Sequence, residues 1–270
     1  MRILVSGSQG YLGNRLVEIA QEAGHTIMRV DYGVEHEWVW NRTEILGADA
    51  MIHLAAMTDL YQCEQEPHKS WQVNFWGSML AGKFCAMPEI PIVFASTDTV
   101  VGLAGYPISV YDSHKLAAER CLLAMPRLKA VSLRFSTIYG PSPSQSKKSR
   151  GVINKWIKAS LAGQPVTVYK GVAGKFRDYL FIDDAIRAML AAINVPPGYY
   201  YIGTAKATRI VDMAKTIDAG NVKLVNDPDG LHPIEYRTMV NNDVGFRELG
   251  NWRVAVDIAE GIALTRAALA

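Results

Sequence analysis

A chain of 270 residues with 28 lysines and arginines against 26 aspartates and glutamates carries a formal charge of only +2, which excludes the strongly basic face that nucleic acid or an acidic membrane attracts. Its length can bury a sizeable core, as one large α/β domain or as a main domain with a smaller lobe. Three cysteines, Cys63, Cys85 and Cys121, lack metal-ligand spacing and cannot all pair; with a first strand starting at Arg2 and no apolar stretch long enough for a bilayer, they predict a cytoplasmic protein with reduced thiols and no bound metal.

The apolar run from Arg2 to Ser6, ending in small residues, predicts a buried parallel strand. From Leu12 onward, Leu12, Leu16, Val17, Ile19, Ala20 and Ala23 recur at helical spacing, and Gly24 reads as the C-terminal cap. Between strand and helix lies Gly7-Ser8-Gln9-Gly10-Tyr11-Leu12-Gly13. At such a turn, N–H groups of the helix N-terminus can face a pyrophosphate, and the missing side chains let phosphate and strand come close. A second strand, Thr26 to Val30, runs into Asp31, placed to bind adenosine ribose hydroxyls and to repel a 2′-phosphate. NAD is therefore expected over NADP, with Arg29 keeping NADP open. A tight turn beside a solvated Asp is the plain alternative.

The alternation continues. Glu35 to Trp40 stands where a third strand belongs, though it is short and poorly patterned, and Ala50 to Leu54 reads as a strand. Lys69 to Met87 reads as a helix, Pro91 to Ala95 as a buried strand, Tyr111 to Met125 as a helix closed by Pro126, and Ala130 to Phe135 as a strand. Such succession predicts a Rossmann-type, doubly wound parallel α/β sheet with ligands at the carboxyl ends of its strands. After Gly140 a turn-rich loop intervenes; Val152 to Leu161 then reads as a helix and Pro165 to Tyr169 as a strand. Tyr179 to Ile182, Asp183 to Ile193 and Tyr199 to Ile202 resume the strand, helix and strand order. The expected division is a dinucleotide-binding domain over 1–140, its sheet completed from 178–203, with 141–270 mainly a smaller substrate-binding lobe.

Several segments then converge in order: Gly7-x-x-Gly10-x-x-Gly13, His53-Leu54-Ala55-Ala56, Asn74, Ser96-Thr97-Asp98, Tyr111-x-x-x-Lys115, Arg134 to Pro141, Arg177-Asp178, and Phe246 to Trp252. In this the chain resembles the extended short-chain dehydrogenase/reductase family, in its nucleotide-sugar epimerase/dehydratase branch. The resemblance implies that Tyr111 is the acid/base group, with Lys115 one helical turn away to favour its phenolate and to bond the nicotinamide ribose. It implies that Thr97 holds the reacting substrate oxygen beside Asp98, and that Asn74 orders the active site. Gly7, Gln9, Gly10, Tyr11, Leu12 and Gly13, with Leu54, Ala55 and Ala56, would border the cofactor. Arg177, and more loosely Arg237, would bind the substrate diphosphate. Two subunits would pair through the helices near Lys69 to Met87 and Tyr111 to Met125. The plain readings are a satisfied helix residue for Asn74, a surface charge for Arg177 and a core histidine with a backbone partner for His53; the last is the one we adopt.

The pattern also departs from the branch. Dehydratases there follow the Thr with an Asp-Glu pair, whereas Thr99 follows Asp98 here. Val101 replaces a common tyrosine, the segment from Asp98 to Val110 is short, Thr137 stands where a substrate-binding Asn is common, and Asp112 replaces a small residue after the tyrosine. The first expectation is an NAD-dependent epimerase of a nucleotide sugar, working through a transient 4-keto intermediate with bound NAD as hydride carrier. An NAD(P)-dependent reductase or dehydrogenase, a 4,6-dehydratase, and more remotely a non-catalytic dinucleotide sensor are the alternatives.

Overall fold

The computed structural model describes residues 1–30, 47–101, 109–141, 151–226, 249 and 251–270. The expected strand at Glu35 to Trp40, Asp31 and Arg237 lie outside them. Six strands form the central sheet: β1 (Arg2–Ser6), β2 (Thr26–Val30), β3 (Ala50–His53), β4 (Ile92–Thr97), β5 (Ala130–Phe135) and β10 (Gly198–Ile202). They run in the order β10-β5-β4-β3-β1-β2, with every pairing parallel. β3 and β5 are buried at every position because helices cover both faces. The two-residue period divides the core: Ile3, Val5, Ile52 and Val93 face one apolar cluster, Leu4, Met51, Ile92 and Phe94 the other.

Strand order reverses direction between β1 and β3, which opens a crevice at their carboxyl ends. Helix α1 (Tyr11–Glu22) follows β1, and α2 (Leu60–Gln65) is a short helix, N-capped by Asp59, that the sequence pattern did not suggest. Next comes one continuous helical rod: α3 (Pro67–Ser70), a π turn over Trp71–Trp76, and α4 (Gly77–Ala86). It begins two residues before the expected Lys69 because Pro67 suits the first helical position, where no intrahelical N–H is needed. A 3₁₀ turn over Asp98–Val100 follows β4, and α5 (Val110–Ala124) leads into β5. On α5, buried Glu119 pairs with buried Arg134 of β5 and accepts from Ser132 Oγ at 2.8 Å, while Arg134 donates to Tyr201 Oη at 2.7 Å.

Beyond β5 the chain builds β6 (Thr137–Tyr139), α6 (Val152–Leu161), β7 (Val166–Tyr169), β8 (Phe176–Arg177), β9 (Tyr179–Phe181) and α7 (Ile182–Ala192) before β10. It ends with β11 (Thr208–Arg209), α8 (Ile210–Ile217), β12 (Val222–Val225) and α9 (Ile258–Leu269). β9 pairs with β6 in a separate parallel piece, so of the strands expected in 178–203 β10 is the one that joins the central sheet. Arg15 of α1 makes a bidentate pair with Asp183 of α7, both contacts at 2.7 Å. Buried Leu249 and the Trp252 indole, which donates to the Asp184 carbonyl at 3.0 Å, bind the C-terminal stretch to α7. Among the described residues no helix is long and apolar enough to cross a membrane, and no cluster of His, Cys, Asp or Glu could hold a metal.

Candidate active site

The glycine turn forms one wall of a cleft of about 590 Å³, lined by Gly7, Gln9, Gly10, Tyr11, Leu12 and Gly13, with Leu54, Ala55 and Ala56 facing them. All nine are residues that the sequence assigned to cofactor binding. Gly7 has φ +70°, and a Cβ there would lie 2.7 Å from the Ala55 nitrogen; a Cβ on Gly13 would lie 2.1 Å from the Gly7 carbonyl oxygen. Only hydrogen fits at either position, which keeps the helix N-terminus against the strand end. Gly10 caps α1 with no side-chain hydrogen bond, so the helix entrance faces the cleft as bare backbone. This cradle fits a dinucleotide pyrophosphate. Met57, Thr58, Gln62, Lys69 and Val73 also line it; sequence reasoning missed them because they come from the stretch after β3, from α2, α3 and the π turn, where no glycine turn marks a cofactor wall.

Asn74 lies in the π turn and is fully buried. Its Oδ1 accepts from the Met57 N–H at 2.8 Å, while its Nδ2 donates to the Met57 carbonyl at 3.0 Å and to Ser70 Oγ at 3.1 Å. It therefore acts on the cleft through the backbone of Met57. His53 is a core histidine as expected, with Nδ1 2.6 Å from Ser6 Oγ and Nε2 3.1 Å from Ser78 Oγ. Burial, reinforced by Lys115, pushes it down to about 3, so it is neutral. Gly140 ties the Tyr11 wall of the cleft to α6, its carbonyl accepting from Tyr11 Oη at 3.1 Å and from Asn154 Nδ2 of α6 at 2.8 Å.

Thr97 ends β4, Asp98 opens the 3₁₀ turn, and Tyr111 and Lys115 occupy the first turns of α5, N-capped by Ser109. Burial pushes Asp98 up to about 7; Arg177 opposes that rise, and Asp178 and Asp112 add to it. Lys115 is buried with its Nζ 4.0 Å from the Phe94 ring centroid, and burial draws it down to about 7 against the pull of Glu119. Tyr111 is raised above its ordinary value, first by burial and then by Asp112, Cys63 and Asp98. Burial and the neighbouring carboxylates, rather than Lys115, are the groups that set the Tyr111 value.

The sequence missed the role of Asp112. It is 1% exposed, and Thr99 Oγ1 donates to its Oδ1 at 2.5 Å. A buried carboxylate from α5 thus stands beside position 99, where the branch's acidic side chain is missing. The sequence marked Asp112 only as replacing a small residue after Tyr111; in the structure it also shares the helix cap, its N–H donating to Ser109 Oγ at 2.9 Å. On the far side, Thr137 heads β6 and pairs in register with Tyr179, and half-buried Arg177 lies near enough to Asp98 to lower its pKa. Asp178 fixes the next turn by accepting from the Thr204 and Ala205 backbone N–H groups.

A model of the family described as "NAD dependent epimerase/dehydratase family" matches residues 3–203. The chain is 25% identical over 309 aligned positions to a UDP-glucose 4-epimerase of Mycolicibacterium smegmatis, covering 98% of this chain and 97% of that one. It is equally 25% identical, over 72% of its length and 71% of the relative's, to a UDP-N-acetyl-alpha-D-glucosaminuronate decarboxylase of Bacillus cytotoxicus. The crystal structure of UDP-glucose 4-epimerase with UDP-glucose from Thermotoga maritima superposes with a TM-score of 0.83 at 22% identity, covering 99% and 98% of the two chains, which shows a shared fold.

Proposed function

Since the chain belongs to the NAD dependent epimerase/dehydratase family, we propose that it is a 4-epimerase of a nucleotide-linked hexose. The observation that carries this reading is the hydrogen-bonded junction of Thr97, Thr99 and Asp112, which holds the end of β4 against the turn bearing Tyr111. In this reading the glycine turn binds the NAD pyrophosphate and Arg177 binds the substrate diphosphate. Thr97 holds the C4 oxygen, and Tyr111 takes and returns its proton. Lys115, near 7, is poised between its two forms at neutral pH, so a proton taken up at Nζ lowers the cost of the Tyr111 phenolate. When bound, NAD supplies a reversible two-electron acceptor for the carbinol carbon, and an epimerisation consumes none of it.

One observation favours a second reading. Asp98, held near 7, is a carboxyl able to give and take a proton at neutral pH, as the loss of water in a 4,6-dehydration requires. Proton NMR of a panel of UDP-, dTDP- and GDP-hexoses with catalytic NAD separates the two. Interconversion of two C4 epimers is expected; a 4-keto-6-deoxy product supports the dehydratase, and an unchanged panel refutes both. Tyr111→Phe is expected to slow turnover by about 10²–10⁴-fold with NAD binding retained. The same reading pairs a second copy of the chain along the α3–α4 rod and α5, where Trp71 and Trp76 stand exposed.

A further inference from the structure

The direction of the hydrogen bonds at Thr97 follows from counting protons. An ionised carboxylate only accepts, and each hydroxyl has a single proton to give. Thr99 spends its proton on Asp112 Oδ1 at 2.5 Å, and Ser109 Oγ donates to Asp112 Oδ2 at 2.7 Å. At the 2.8 Å contact between Thr97 Oγ1 and Thr99 Oγ1, Thr99 can therefore only accept, and the proton belongs to Thr97. The Thr99 backbone N–H donates to Thr97 Oγ1 at 3.3 Å and occupies one lone pair. The other possible use of the Thr97 proton, Asp98 Oδ1, is more distant at 3.4 Å. What Thr97 has left for a ligand is one lone pair.

We propose that Asp112, acting through Thr99, fixes Thr97 as a hydrogen-bond acceptor and so makes the site select a carbinol over a carbonyl at the reacting carbon. The proposal rests on the reading that Thr97 holds the reacting oxygen. Asp112 and Thr99 are positioning residues. In the bound ground state, with Tyr111 still a neutral phenol, a secondary alcohol donates its O–H to the free lone pair of Thr97 and turns that proton to Tyr111 only once the phenolate forms, whereas a ketone oxygen brings lone pairs against a lone pair and leaves a polar group unpaired. Oxidised substrate has no O–H to give, so its bond to Thr97 is lost and the ring is released to present its other face. An enzyme that starts from a ketone needs the opposite polarity. It would arise here only if Asp112 held a proton and donated through Thr99 to Thr97.

The test compares binding of UDP-glucose and UDP-4-keto-6-deoxyglucose to the full chain with NAD, by calorimetry. The wild type is expected to favour UDP-glucose, Thr99→Val to narrow that preference by about tenfold or more, and Thr99→Ser to restore it. A preference unchanged in Thr99→Val overturns the proposal. If neither sugar binds, the nucleotide-sugar reading fails, and the proposal is then decided by ¹³C titration of the Asp112 carboxyl in aspartate-labelled protein. Thr99→Val, which removes a donor to the ionised form, is expected to raise its midpoint by about one unit, and Thr99→Ser to return it. An unmoved midpoint overturns the hydroxyl chain itself. Among the described residues, the charged and titratable groups near this region are unchanged between those variants: Asp98 from the 3₁₀ turn, Arg177 and Asp178 opposite it, Tyr111 alongside, and Cys63 and Glu64 of α2, the last accepting from the Val110 N–H at 2.8 Å.

Discussion

Three single alanine substitutions separate the two reasons for glycine at the cofactor turn. Gly24 has φ +80° with nothing within 4 Å of an added Cβ, so Gly24→Ala bears backbone strain alone, about 1–2 kcal/mol. Gly13 has no positive φ, but its added Cβ meets the Gly7 carbonyl oxygen at 2.1 Å and the Ser8 Cα at 2.7 Å, all backbone. Gly13→Ala therefore bears an overpacking cost of about 1–3 kcal/mol or more, relieved only by moving the α1 N-terminus off the end of β1. Gly7→Ala combines both terms, φ +70° with contacts of 2.7–3.0 Å to the backbone of Leu54 and Ala55, and is expected to lose about 2–5 kcal/mol. At roughly 2–4 °C per kcal/mol, thermal unfolding without cofactor should rank the variants with Gly24→Ala as the least affected. Calorimetry with NAD should show affinity retained in Gly24→Ala and reduced about tenfold or more in the other two. If Gly13→Ala binds NAD as tightly as Gly24→Ala, the turn is not the cradle described above, whatever its effect on stability.

Lys115 gives a pH prediction. Its folded value near 7 lies below the ordinary value of 10.5, so the unfolded chain binds more protons in that interval, and this residue makes stability rise as pH increases above 7. The denaturant midpoint of wild type minus that of Lys115→Met should climb from pH 7 to pH 9, a window below the value of about 12 for the buried Cys85 thiol; a flat difference refutes the desolvation of Lys115. Asn74→Leu keeps the branched outline of the side chain but unpairs the Met57 N–H and carbonyl, so a loss of about 2–4 kcal/mol and weaker NAD binding are expected by urea unfolding and calorimetry. Trp76→Glu places a charge on the exposed face of the rod and should convert a dimer to a monomer by sedimentation equilibrium; a wild type that is monomeric at micromolar concentration refutes the pairing.

The central sheet was legible in the sequence because its strands are continuous apolar runs and its helices carry an apolar stripe. β5 and α6 lie at the residues expected for them, and β1 lies where Arg2 to Ser6 placed it. The glycine turn was legible because the chemistry there is backbone chemistry, and glycine announces it. The missed features depend on long-range contacts instead. α2 has six residues, too few for a period, and α8 and α9 hold their places by packing in a region the sequence had marked only as a lobe. The π turn at Trp71–Trp76 is invisible to a 3.6-residue pattern, yet it lies where Asn74 reaches Met57. Asp112 was read merely as an odd neighbour of Tyr111, since no local rule brings it to Thr99, thirteen residues away.

The carbonyl of Gly140 accepts one donor from the glycine turn and one from α6, and this joins the two parts of the molecule at a single atom. Tyr11 lines the cleft, so that wall and α6 are tied through one backbone oxygen, and a shift of either donor is felt at the other. Each is a neutral hydrogen bond worth about 1 kcal/mol net, so parting both costs about 2 kcal/mol. Two weak bonds at one atom thus couple the cleft wall to α6 while letting either part at small cost.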